Sequence, residues 1–212
     1  EHEVSLIDTT SETFLVDIEM LLNTVKPEKL VTSTEFAARL CERNSKIRVL
    51  CEKYGIEFQE INTFSIFPEP NLHELPRVFT DFRKKIETER VQFDDLDPLQ
   101  QNEEQSPGFS RLMYYLFHSK RISTYRLTRN GMIDPDDSSH FSPFLSVGAL
   151  SAKRIWFEID RYETEVEAND STYWLKFELL WREFFLWNAK KYQESLFQLN
   201  GIRQRPVSFH QD

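Results

Sequence analysis

The feature that most constrains the fold is a run of apolar side chains at residues 172–192. Placed on a helix, this run puts large side chains at nearly every angle: Trp174, Phe177, Leu180, Trp181, Phe184, Phe185 and Trp187. A helix that is apolar on nearly all sides is normally buried on most of them. The run therefore predicts a long, mostly buried helix, and Ser171 is the residue predicted to cap its start.

Two charged residues interrupt this apolar helix. Glu178 and Arg182 are four residues apart with the acid first, the spacing of a helical ion pair worth roughly 0.2–0.5 kcal/mol. Burying both charges without further partners would be costly, so a ligand cavity beside the helix is the alternative interpretation. Glu178 and Trp181 face the same side, where the carboxylate could bond the edge of a base while the indole stacks on its face.

A hydroxyl-rich turn lies upstream of this helix. It contains Ser138, Ser139 and Ser142, and Ser142 is predicted to be an N-cap with Pro143 at the first helical position. Free backbone N–H groups at a helix start, combined with hydroxyl groups, would form a cradle for a phosphate or a pyrophosphate. A plain Ser-Pro helix cap is the alternative interpretation.

Two more helices are predicted on either side of this turn. One begins near Gly108 and has an apolar stripe formed by Phe109, Leu112, Met113, Leu116 and Phe117. The other follows a cap at Ser151 and has a stripe formed by Ile155, Trp156, Ile159 and Tyr162. We interpret Lys153 and Arg154, in the first turn of the second helix, as solvated basic residues.

The first third of the chain alternates strands with helices. Strands are predicted at residues 4–7, 29–32 and 56–61, and helices at 14–22 and 34–55. This order is typical of a parallel α/β sheet. A proline-rich connector follows, then a charged helix at 79–89, and the acidic stretch 91–107 is the best candidate for a linker.

Charge and cysteine content exclude several classes of protein. The 212-residue chain has a net charge of −9, which argues against non-specific binding of nucleic acid. Cys41 and Cys51 are too far apart for a metal-binding pair and are expected to be free thiols in a reducing compartment. No apolar run is long enough to span a membrane. We therefore expect an intracellular protein, cytoplasmic or, in a eukaryote, nuclear or organellar, with no bound metal.

Three segments resemble the photolyase/cryptochrome family, and within it the cryptochrome-DASH branch. They read TYRLTRNGM at 124–132, SSHFSPFLSVGALS at 138–151 and NDSTYWLKFELLWREFF at 169–185. The similarity is clear over residues 76–195 and weaker over residues 4–62. The resemblance implies an incomplete parallel α/β antenna-type domain at residues 1–75, an interdomain connector at 76–107, and part of an all-helical FAD-binding domain at 108–212.

The resemblance also implies an activity. Family members use light and FAD to split cyclobutane pyrimidine dimers in DNA, and they flip the damaged bases out of the helix. The DASH branch acts mainly on single-stranded DNA and often carries a folate antenna such as methenyltetrahydrofolate. A monomer is expected. The chain resembles a middle segment of such a protein, so a truncated, non-catalytic relative that acts as a binding or signalling module is the alternative.

The family's site residues can be transferred onto matching positions. The implied FAD contacts are Tyr125, Ser138, Ser139, His140, Phe141, Ser142, Trp174 and Arg182. The implied DNA contacts are Arg129 for the backbone, and Glu178 and Trp181 for the lesion. His140 stands where the family usually has a basic residue, and a neutral imidazole would neutralise a pyrophosphate less well. No catalytic residue is assigned, and we expect Trp156 and Trp187 to pack in the core.

Overall fold

The computed structural model describes residues 12–89 and 106–205. The chain divides into two compact units. One comprises the residues up to Asn62 and those from Tyr192 onward, and the other is Thr63–Lys191. The domain boundaries predicted after residues 75 and 107 stay predictions.

Among the described residues, the first unit contains two parallel strands, two α-helices and a 3₁₀ turn at Gln193–Phe197. Its elements are α1 (Phe14–Val25), β1 (Lys29–Ser33), α2 (Ala38–Tyr54) and β2 (Glu57–Ile61). The strands pair in register from Lys29 opposite Glu57 to Ser33 opposite Ile61. The predicted parallel α/β pattern is confirmed here, although α2 begins four residues later than predicted. The strand predicted at residues 4–7 lies outside the described residues.

The core of this unit joins both helices to the start of β2. Leu22, Ile47, Cys51 and Ile56 are buried together. Cys41 and Cys51 are both free thiols, as predicted, and burial raises the pKa of the Cys51 thiol. Gly55 ends α2 with a positive φ of 68°, a backbone conformation that favours glycine.

The second unit is helical, as predicted. Its helices are α3 (Phe79–Glu89), α4 (Pro107–Met113), α5 (Tyr125–Thr128), α6 (Ser142–Ser146), α7 (Ala152–Glu165) and α8 (Asp170–Tyr192). A π-helical turn, Tyr114–His118, continues α4, and short 3₁₀ turns lie at Leu72–Glu74 and Arg121–Thr124. The Ser151 hydroxyl accepts the N–H of Arg154 and caps α7, as predicted.

The start of α8 differs from the prediction. Asn169 caps the helix, because its side-chain oxygen accepts the N–H groups of Ser171 and Thr172 at 2.8 and 3.1 Å. The hydroxyl of Ser171 instead accepts the N–H of Arg126 at 3.1 Å. The predicted cap at Ser171 is therefore wrong, and this hydroxyl connects α8 to α5.

The core of the second unit lies among α4, its π-helical turn, α7 and one side of α8. Its fully buried side chains include Leu112, Tyr115, Leu116, Ile122, Leu150, Ile155, Ile159, Tyr162, Leu180 and Trp187. Phe185 of α8 is 62 % exposed and Tyr173 is 39 % exposed, so α8 is buried on fewer sides than its composition predicts.

A buried charge cluster on α7 corrects one expectation. Arg154 is only 5 % exposed, so it is not a solvated residue. Its guanidinium lies 2.9 Å from the carboxylate of Glu158, which also pairs with Arg161 at 2.9 Å. Burial raises the pKa of Glu158, against the opposing effect of the two arginines. The two ion pairs compensate charges that would otherwise be costly to bury.

Candidate functional site

One arginine of α4 donates hydrogen bonds to backbone carbonyls of the hydroxyl-rich turn. Arg111 donates from Nε to the Ser139 carbonyl at 3.0 Å and from Nη2 to the Ser138 carbonyl at 3.1 Å. Within residues 12–89 and 106–205, the hydroxyls of Ser138, Ser139 and Ser142 make no hydrogen bond. Three hydroxyl groups are therefore available to a ligand at this turn.

The predicted cap at Ser142 is wrong. Ser142 is the first residue of α6, the N-cap position is Phe141, and no side chain caps the helix. Because α6 has only five residues, its dipole is a weak source of anion affinity. His140 is exposed and has a positive φ of 55°, while the Phe141 ring is buried against Tyr115 in an edge-to-face contact at 5.8 Å.

Tyr125 belongs to α5, a helix that is attached to the segment leading into this turn. Tyr125 is the first residue of α5, and its side chain is buried. Burial raises the pKa of its phenol to about 12. Its phenol is therefore a neutral hydrogen-bond donor at physiological pH. At the other end of α5, the Thr128 hydroxyl donates to the Asp137 carbonyl at 2.8 Å, which attaches the helix to the segment that leads into the turn.

Glu178 and Arg129 form an ion pair beside Trp174. The Arg129 guanidinium contacts the Glu178 carboxylate, and the two side chains are 30 % and 33 % exposed. The same guanidinium lies 5.4 Å from the centre of the Trp174 ring, and that of Arg126 lies 5.0 Å from it. Three of the predicted site residues are thus brought together on one partly exposed surface.

The predicted helical ion pair between Glu178 and Arg182 is not formed. Arg182 donates from Nη1 to the Phe64 carbonyl at 2.6 Å and lies 3.4 Å from the Glu183 carboxylate. Burial lowers the pKa of the guanidinium. Glu178 and Arg182 therefore have different partners in different surroundings, because groups from distant parts of the sequence reach each one.

Trp181 is stacked against the side chain of another helix. Its ring lies parallel to that of Phe79 in α3, with centroids 3.6 Å apart and an angle of 12° between the planes. Phe185 stacks nearby at 5.5 Å. One face of Trp181 is therefore covered within the chain itself. Trp187 packs in the core as predicted, whereas Trp156 is only partly buried, edge to face with Phe67 at 5.5 Å.

Two buried donors near these residues have no partner in the described part of the chain. They are the indole Nε1 of Trp174 and the hydroxyl of Tyr115. A buried polar group without a hydrogen bond costs roughly 1–3 kcal/mol. A ligand that offers acceptor atoms at this position would remove that cost, so both groups fit the binding of a polar aromatic cofactor.

Sequence reasoning missed two residues that the structure makes prominent. Glu183 of α8 is fully buried and accepts the Ile66 N–H at 3.0 Å, and burial raises its pKa to about 7. Its place between Leu179 and Trp187, four residues to either side on one helical stripe, could have indicated burial. Arg111 had no comparable signal, because its partners lie 24 to 28 residues further along the chain.

Neither a metal-binding cluster nor a bilayer-spanning helix is found among the described residues. In residues 12–89 and 106–205, no group of three or more His, Cys, Asp and Glu side chains could bind a metal ion. Among the helices that the structure describes, none combines the length and apolar character that a bilayer-spanning segment needs.

Comparisons with known proteins agree with the resemblance. No family model matches the chain. The chain is 35 % identical over 175 residues to the Cryptochrome DASH of Synechocystis sp., a match that covers 67 % of this chain and 36 % of that protein. The crystal structure of a Synechocystis cryptochrome superimposes with a TM-score of 0.83 at 28 % identity, over 93 % of this chain and 49 % of that one.

A second solved structure supports the fold alone. A class III photolyase from Agrobacterium tumefaciens has a TM-score of 0.65 at 12 % identity, covering 89 % of this chain and 47 % of that one.

The chain belongs to the photolyase/cryptochrome family. Within that family, its curated relatives in a cyanobacterium, a frog and a fish are all named Cryptochrome DASH. The chain spans only between a third and two fifths of the length of these three relatives.

Proposed function

We propose that this chain is part of a FAD-dependent cryptochrome of the DASH type, a blue-light photoreceptor and DNA photolyase. Its reaction would split cyclobutane pyrimidine dimers in single-stranded DNA. The observation that carries the proposal is the surface formed by Arg129, Trp174 and Glu178. It combines a cation that can hold a phosphate, a carboxylate that can bond a base edge, and an indole with an unpartnered N–H that can bond the cofactor.

FAD would be held by the turn and the groups around it. The hydroxyls of Ser138, Ser139 and Ser142 and the backbone at His140 and Phe141 would bind its phosphates. Trp174 would donate through its unpartnered Nε1, Tyr125 would contact the cofactor through its buried phenol, and Arg182 would border the flavin. FAD held there in its reduced form would supply the light-driven electron that splits the dimer, and the electron would return to it afterwards.

The lesion would be bound by side chains of α8. A flipped pyrimidine would donate its N–H to the Glu178 carboxylate, while Arg129 would exchange that carboxylate for a DNA phosphate. Trp181, which is stacked with Phe79 and Phe185, would have to give up one of these contacts to stack on the flipped base. A folate antenna, a monomeric state and an intracellular location stay predictions.

The proposal is tested with a single-stranded oligonucleotide that contains one thymine dimer. The chain is purified, supplied with FAD and reductant, and illuminated with blue light. We expect the chain to retain FAD and the number of dimers, measured by chromatography, to fall in the light and not in the dark. A chain that takes up no FAD, or that leaves every dimer intact after illumination, contradicts the proposal for this chain.

A second function is favoured by one contact. Because Phe79 covers one face of Trp181 at 3.6 Å, a non-catalytic relative that acts as a binding or signalling module would need no rearrangement here. This alternative predicts that the Phe79→Ala variant gains no affinity for dimer-containing DNA. Light-dependent repair by the unmodified chain would exclude it.

A further inference from the structure

Arg111 uses nearly all of its donors on the segment that forms the hydroxyl-rich turn. Besides the carbonyls of Ser138 and Ser139, its Nη2 donates to the Pro135 carbonyl at 3.3 Å. Its Nη1 pairs with the Asp136 carboxylate at 2.8 Å. One side chain therefore bonds four groups along residues 135–139, namely three backbone carbonyls and the Asp136 carboxylate, which no other described side chain does.

The position of the arginine is itself fixed. Its guanidinium lies over the rings of Tyr114 and Tyr115, 5.5 and 5.3 Å from their centres. The Tyr114 hydroxyl donates to the other oxygen of the Asp136 carboxylate at 2.8 Å. Arg111 and Tyr114 together hold the pKa of Asp136 below its usual range, so the pair stays charged at physiological pH.

The carbonyl contacts decide where the N–H groups of the turn point. In a planar trans peptide, the N–H of one residue points away from the carbonyl of the residue before it. Because the carbonyls of Ser138 and Ser139 point toward Arg111, the N–H groups of Ser139 and His140 point to the opposite side. In the described part of the chain, neither N–H has a hydrogen-bond partner.

The φ values of His140 and Phe141 have opposite signs, which is one element of an anion nest. His140 has a φ of +55°, and Phe141 follows in the right-handed helical region with φ −81° and ψ −20°. Successive N–H groups in alternating left- and right-handed conformations converge on one point and bind anions. A cation that bonds the carbonyl side of the same peptide groups also makes their N–H groups stronger donors.

We propose that Arg111 is a positioning residue, which holds the turn at residues 138–141 in its anion-binding conformation without touching the anion. The inference rests on the proposed function only in naming the anion as the pyrophosphate of FAD. The Arg111 guanidinium lies on the carbonyl side of the turn, where it also pairs with the Asp136 carboxylate.

The test compares two arginines that bind the same loop. Arg111→Gln removes the fork that holds the carbonyls, and Arg111→Lys keeps the charge but not the fork. Arg121→Gln is the matched control, because Arg121 pairs with Asp134 at 3.1 Å and makes no described contact with residues 138–141. Each variant is measured in two ways: backbone hydrogen exchange at residues 136–142 without ligand, and affinity for FAD and for riboflavin, which has no phosphate.

We expect both Arg111 variants to exchange faster at residues 138–141 and to bind FAD roughly 10- to 100-fold more weakly, with riboflavin affinity unchanged. Arg121→Gln should match the unmodified chain in both measurements. Unchanged exchange in Arg111→Lys would overturn the proposal, because charge alone would then hold the turn. If the unmodified chain bound no FAD, the proposed function would fail, but the exchange difference between Arg111→Lys and Arg121→Gln would still decide the positioning role.

Discussion

Two glutamates of α8 lie five residues apart and have opposite surroundings. Glu178 pairs with Arg129, and both side chains are about one third exposed. Glu183 is fully buried, lies 3.4 Å from the Arg182 guanidinium and accepts the N–H of Ile66. Each region thus contains one carboxylate and one guanidinium, and the difference between them is access to water.

Access to water determines what each pair can do. An exposed ion pair is worth about 0–1 kcal/mol and is readily exchanged for another partner, so Glu178 and Arg129 can release each other when a ligand arrives. A buried pair is costly to break, because the remaining charge has no solvent. We call the exposed pair, Glu178 and Arg129, the outer pair and assign ligand binding to it. Glu183 and Arg182 are the inner pair, which supports the 64–67 segment.

The largest expected effect is at Glu183. Replacement by alanine leaves the Ile66 N–H without its acceptor and removes the carboxylate beside Arg182, which keeps its bond to the Phe64 carbonyl, so we expect the free energy of unfolding to fall by about 3–5 kcal/mol. Urea denaturation followed by tryptophan fluorescence measures the change. Glu183→Gln, which keeps an acceptor oxygen, should lose clearly less. A loss below about 1 kcal/mol for Glu183→Ala would remove the distinction between the two regions.

The pH dependence of stability gives the next largest effect. Burial raises the pKa of Glu183 from its ordinary value of 4.5 to about 7, so between these values the folded chain holds a proton that the unfolded chain has lost. The stability contributed by this group is therefore full below pH 4.5 and is lost as the pH rises through about 7. The slope is at most about 1.4 kcal/mol per pH unit.

This slope is isolated by comparison with Glu183→Gln, which stays neutral at every pH. The difference in unfolding free energy between the unmodified chain and the variant should decrease from pH 4.5 to about 7 and then level off. A flat difference for Glu183 would mean that its carboxylate is charged throughout.

A smaller effect is expected from the outer pair. A double-mutant cycle with Glu178→Gln and Arg129→Gln should give a coupling free energy of about 0.2–1 kcal/mol, because both side chains are partly solvated. The coupling should weaken further when salt is added. A value above about 2 kcal/mol, unaffected by salt, would place this pair in the same structural class as Glu183.

Local sequence signals predicted most of the fold. The strands β1 and β2, the start of α1 and the caps at Ser151 and Gly55 depend on neighbouring residues, and the structure confirms them. The cap of α8 was wrong because Asn169 and Ser171 are both good caps. The choice between them is made by the N–H of Arg126, 45 residues away from Ser171.

Contacts between residues far apart in sequence also limited what could be predicted for the candidate site. Helical spacing correctly placed Glu178 and Trp181 one turn apart, but it paired Glu178 with Arg182. The actual partner, Arg129, lies 49 residues away in sequence. Arg111 was missed for the same reason, because its function depends on carbonyl groups that only the folded chain brings to it.

The affinity of the FAD-supplied Glu178→Gln variant for a single-stranded oligonucleotide with one thymine dimer tests the central claim most directly. Unfolding of the same sample is measured in parallel. If the outer pair of α8 is a ligand site, affinity should fall about tenfold or more through the lost charged hydrogen bond, while the unfolding free energy stays within about 0.5 kcal/mol of the unmodified chain. Unchanged affinity together with a loss of stability above about 1 kcal/mol would contradict the account, because Glu178 would then be a structural residue like Glu183.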